Sequence, residues 1–185
     1  MAVLRRWLSS LLVCAALLAA PAVLQAQVAG EYEVKAAFLY NFTKFVEWPP
    51  TAFADEKSPI QICVFGENPF GRSLTELTGQ EVAGRKLIVV RTPEMAKLEG
   101  CQILFISRSE RERVSSILSE VREAPVLTVA DTEGFLDDGG VVNFILEGSK
   151  VSFEISQEAA ARAKIKISSK LMRLAKYVKG GPGPA

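Results

Sequence analysis

The chain has 185 residues, and its 22 Lys and Arg against 21 Asp and Glu give a formal net charge of +1. That balance leaves no broad basic surface for a nucleic-acid backbone, and 49% hydrophobic with 23% charged residues excludes a disordered chain. Histidine is absent, which removes Ser-His-Asp and Cys-His catalysis, histidine-ligated zinc and haem, and imidazole proton shuttling.

Arg5 and Arg6 precede an apolar run from Trp7 to Ala20, followed by small residues with cleavage points after Ala26 and after Ala22. Basic flank, short apolar run and small-residue site are the parts of a secretory signal peptide. A membrane anchor is the competing reading, but about 14 residues fall short of the ~20 a bilayer needs. Cys14 does not mark a lipoprotein, because Val13 stands where a small residue should precede a lipidated cysteine. Removal of residues 1–26 takes away two arginines and no acid, so the net charge moves from +1 to −1. Only Cys63 and Cys101 then remain. In an oxidising compartment two cysteines are expected to pair; two buried free thiols, or a redox-sensing pair, are the alternatives. They do not form a CxxC motif, and two thiols without histidine make a poor metal site.

Residues 31–48, EYEVKAAFLYNFTKFVEW, read as an amphipathic helix with Val34, Phe38, Phe42 and Phe45 on one face. Pro49 and Pro50 end it. IQICVFG, 60–66, is a continuous apolar run suited to a strand buried on both faces. A loop and short helix follow, with Phe70, Leu74 and Leu77 inward and Gly79 as the stop. RKLIVVRT (85–92) and CQILFIS (101–107) are the next strands. The polar helix 109–123 carries a stripe of Val114, Ile117, Leu118 and Val121, with Ser109 as N-cap. VLTVAD, 126–131, is a fourth strand, leading into the loop TEGFLDDGG. Residues 141–147 and 150–156 read as a hairpin whose Gly148-Ser149 loop fits a type II′ turn. The helix QEAAARA, alternating KIKIS, and a closing helix SSKLMRLAKYV complete the domain, 27–179, and residues 180–185 read as a disordered tail. Strands alternating with helices predict an α/β fold: a three-layer α/β/α sandwich with a mostly parallel sheet and a late antiparallel hairpin.

Chemistry is sparse. GENPFGRS, 66–73, has the glycine spacing of a phosphate-binding loop directly after a strand. Glu67 would repel phosphate, Pro69 lacks an amide donor and Arg72 stands where lysine is required, so it reads as a tight turn. Asp131, Glu133, Asp137 and Asp138 lack the ligand spacing of an EF-hand calcium loop and read as a solvated turn. Lys44, Lys164, Lys166, Lys170, Arg173 and Lys176 lie on polar faces. No metal or cofactor is implied, and nothing compels an enzyme. A parallel sheet does offer a crevice at its strand C-termini, here near Gly66, Asn68, Ser107 and Asp131.

Several long segments are specific in their order. VKAAFLYNFTKFVEWP, VFGENPFG, CQILFIS and the run from VLTVADTEGFLDDGG to SSKLMRLAK together resemble the YfiR family of bacterial periplasmic proteins across residues 31–177. The resemblance implies an α/β/α sandwich, often a homodimer, that binds the periplasmic sensory domain of an inner-membrane diguanylate cyclase and thereby restrains cyclic di-GMP synthesis and biofilm formation. It implies a disulfide between Cys63 and Cys101, and partner contact through Phe144, Glu154 and Ala160. The second cysteine pair of some relatives has no counterpart here. The expected function is therefore a non-catalytic periplasmic regulator of a membrane sensor, with a small-molecule-binding protein as the alternative.

Overall fold

The computed structural model describes residues 30–92 and 94–181; the expected signal peptide, its cleavage points and the last four residues of the tail lie outside the described residues. Helix α1 covers 30–45, and α2 (Val114–Glu120), α3 (Gln157–Arg162) and α4 (Ser169–Met172) follow. The strands are β1 (Val46–Glu47), β2 (Ile60–Phe65), β3 (Glu81–Val82), β4 (Arg85–Thr92), β5 (Ile103–Ile106), β6 (Leu127–Ala130), β7 (Val142–Glu147), β8 (Lys150–Ser156), β9 (Lys166–Ile167) and β10 (Tyr177–Lys179). One eight-stranded sheet runs in the order β10-β8-β7-β6-β5-β2-β4-β3, and β1 pairs with β9 in a separate two-stranded ribbon. The inner strands β4, β2, β5, β6 and β7 are parallel, while β7–β8 and β3–β4 are antiparallel.

Alternation along each strand divides the interior in two. Ile62, Val64, Ile103, Phe105, Leu127 and Val129 face a core closed by α1, α3 and α4. Cys63, Phe65, Leu104, Ile106 and Ala130 face a second core closed by α2 and by Phe135 and Leu136 of the β6–β7 loop. The central strands β2, β5 and β6 thus bury both faces, which accounts for their unbroken apolar runs. The three-layer sandwich is the observed architecture.

Several elements differ from expectation. The buried face of α1 is Tyr32, Lys35, Ala36, Leu39 and Phe42, and Val34 is 45% exposed; of the expected stripe, Phe38 and Phe42 do meet the hairpin ring of Phe144. The helix stops at residue 45 and Val46–Glu47 pair with Lys166–Ile167. Ser109 does not cap α2: its hydroxyl accepts from the Glu67 amide at 3.0 Å, and the turn Arg108–Arg113 is 3₁₀. The closing helix is a single turn, and Tyr177–Lys179 instead join the sheet parallel to β8. Gly148 takes φ +63°, and Ser149 stays out of the left-handed region, as a type II′ loop requires.

Candidate functional site

The order of the five parallel strands puts the first, β2, between the second and third, so the chain reverses direction at the β2–β5 boundary. The carboxyl ends there are the usual crevice of an open α/β sheet. The structure brings Gly66, Ser107 and Asp131 to these ends, and the protein's own residues crowd the backbone at Gly66. A side chain on Gly66 (φ +90°) would lie 2.5 Å from Ser109 Oγ. Asn68 braces its own turn, accepting from the Phe70 amide at 3.2 Å and donating to the Gly71 carbonyl at 3.3 Å. Ser107 is buried, its amide bonded to the Phe65 carbonyl at 3.0 Å.

Asp131 is not part of a solvated turn; it is the centre of a buried ion network. Lys35 Nζ donates to Asp131 Oδ2 at 2.5 Å and also to Glu31 one helical turn away. Tyr32 Oη donates to the same Oδ2 at 2.7 Å, and Arg108 Nε lies 3.3 Å from Oδ1. Two cations meet two carboxylates, so the charges cancel. The Lys35 and Asp131 side chains are each 1% exposed, a location tolerable only because each has its partner. Lys35 Nζ also stands 4.3 Å from the centre of the Tyr32 ring and 5.9 Å from that of Phe144, where ring faces attract a cation. Burial, and then the charge of Asp131, push the Tyr32 phenol well above its ordinary value. Glu133, Asp137 and Asp138 are exposed as expected.

The hairpin lies beside this network. β7 pairs with β6 only through Val142 and Asn143, so residues 144–153 of the hairpin overhang the end of β6. Phe144 is 3% exposed; its ring stacks against Phe42 at 5.9 Å and approaches Phe38 at 6.0 Å. Ala160 is likewise buried, on the inner side of α3. Glu154 pairs with Asn143 across the hairpin and points away from that core, half-exposed. Leu146, two residues beyond Phe144, is 44% exposed, and Leu174 is 64% exposed. Lys176 Nζ holds Glu147 near the tip at 2.5 Å, and that bond keeps the Glu147 carboxyl below its ordinary range.

Cys63 and Cys101 form a disulfide, with Cα atoms 5.9 Å apart. Cys63 is in β2 and Cys101 ends the 3₁₀ turn before β5, so the bridge joins two neighbouring strands inside the α2-side core. Among the described residues, no group of three or more Cys, Asp or Glu could hold a metal ion, and no helix is long and apolar enough to cross a membrane.

A family model described as YfiR/HmsC-like matches residues 32–176. No curated protein matches the chain. Among solved structures, a conserved domain protein from Vibrio cholerae O1 biovar El Tor str. N16961 is 14% identical with a TM-score of 0.45, covering 65% of this chain and 54% of its own. The ABC domain in complex with L-Trp from Streptococcus pneumonia is 8% identical with a TM-score of 0.47, over 65% of this chain and 55% of its own. The chain therefore spans about half the length of these structures.

Proposed function

The chain belongs to the YfiR/HmsC-like family, a family of non-catalytic periplasmic regulators, and on that premise we propose that it binds and restrains the periplasmic sensory domain of an inner-membrane diguanylate cyclase. The observation that carries this reading is the overhanging hairpin, which offers Leu146 and Glu154 outward while Phe144 anchors it from below. An apolar tip on one face of the hairpin and a carboxylate on the other are suited to a protein contact of modest size that takes in both faces. Phe144 and Ala160 act from beneath, fixing the strand and helix that shape the contact, and Glu154 touches the partner. The signal works by weakening the complex, that is, by favouring the unbound arrangement of the two proteins.

The test is deletion of the gene followed by measurement of cyclic di-GMP, with complementation by variants. Deletion should raise cyclic di-GMP, and Glu154→Arg should fail to restore it while the purified variant keeps its melting temperature. Unchanged cyclic di-GMP on deletion would overturn the cyclase reading.

A further inference from the structure

A second region is unrelated to the hairpin and does not rest on the regulatory reading. Between α2 and α3, at the amino-terminal end of β6 and β7, lies a cavity of about 360 Å³, within the range of small-molecule sites. Its lining includes Leu118 and Leu136 together with the buried hydroxyls of Thr128 and Ser156. Thr128 Oγ1 accepts from the Val141 amide at 3.0 Å, and Ser156 Oγ accepts from the Ala159 amide at 3.2 Å. Neither hydroxyl donates a hydrogen bond among the described residues, so each has a proton left to give.

Arg122 after α2 and Arg162 at the end of α3 line the same cavity, and neither makes an ion pair or hydrogen bond among the described residues. Other cations here are used: Lys179 Nζ is bound to Asp137 at 2.6 Å, a bond that raises the pKa of its ammonium. The Arg162 guanidinium lies against Gly139, where even a methyl group would stand only 3.6 Å from Nη2. Two unpaired guanidiniums and two spare hydroxyl protons all seek an acceptor. The remaining acids of the lining, Asp138 and Glu158, are exposed and would oppose a second negative charge.

We propose that this cavity binds a small organic monoanion, a carboxylate on an apolar body, with the carboxylate held by Arg122 and Arg162 and the body against Leu118 and Leu136. The full mature protein, isotopically labelled, would be titrated by NMR with benzoate, with phenyl phosphate and with uncharged benzamide. Benzoate should give saturable shifts at the amides of Ser115, Ser119 and Val141. Benzamide should give none, and phenyl phosphate, a dianion, should bind more weakly than benzoate. Arg122→Ala and Arg162→Ala should each weaken benzoate about tenfold or more, as expected for loss of a charge-assisted bond. Both side chains are exposed, so the melting temperature should stay unchanged. Absence of saturable benzoate shifts, equal binding of benzamide, tighter binding of phenyl phosphate, or benzoate binding that survives both arginine replacements would each overturn the proposal.

Discussion

At the scale of single residues, Lys35 carries the most consequence. Lysine is almost never fully buried unless paired, and here it fastens α1 to the carboxyl end of β6 through Asp131. Lys35→Met should destabilise the protein by about 3–5 kcal/mol in urea unfolding, because Asp131 is left buried without its main partner. Combining it with Asp131→Leu should recover part of that loss. The Tyr32 phenol gives a pH signature. Its folded-state pKa is raised above the ordinary 10.0, so the native state holds this proton more tightly than the unfolded chain. Its contribution is complete below pH 10 and is lost as pH rises from there toward the folded value. Urea midpoints should therefore fall above about pH 10, and Tyr32→Phe should flatten that slope. None of this was legible locally. Glu31 and Lys35 have the i,i+4 spacing of an ordinary solvated helix pair, and Asp131 lies 96 residues away. The only available signal was an ionisable residue inside an apolar helical stripe.

At the scale of elements, strands were more legible than helices. The apolar runs beginning at Ile60, Ile103 and Leu127 could hardly be anything but buried strands, and the Gly148 loop fixed the hairpin register through Phe144↔Phe153 and Leu146↔Val151. The closing segment misled because Leu171, Leu174 and Val178 keep helical spacing. Tertiary pairing overrode it: the Lys176 amide bonds the Phe153 carbonyl at 2.8 Å and draws Tyr177–Lys179 onto β8. Pairing between β1 and β9 was invisible for the same reason, since two-residue strands have no period. Gly66 marks the tightest element junction. Gly66→Ala should cost at least about 1–2 kcal/mol from its positive φ alone, with a further loss as Ser109 is displaced from the Glu67 amide. Thermal unfolding would measure it, and an unchanged melting temperature would contradict the packing described for this turn.

At the scale of the whole molecule, the sheet separates two cores, and the disulfide belongs to the one closed by α2. The architecture was readable because alternating strands and helices leave few topologies. The period of two along the hairpin already puts Phe144 on its buried face and Glu154 on the other; what the sequence left open is how deeply Phe144 and Ala160 are covered, because that depends on α1 and α3 packing over them. Replacing both cysteines with alanine should lower stability by about 3–4 kcal/mol, the loop-closure entropy of a bridge of this span. Comparison of denaturant midpoints for the double variant and the oxidised protein would check this.

Both sulfur-bearing residues are 1% exposed, so a reducing agent cannot reach the bridge while the α2-side core is closed. Reduction then becomes a clock for opening. At high reductant concentration its rate should level off at the rate of structural opening. Mutations that loosen α2 should quicken it, even where they leave the sulfur chemistry untouched.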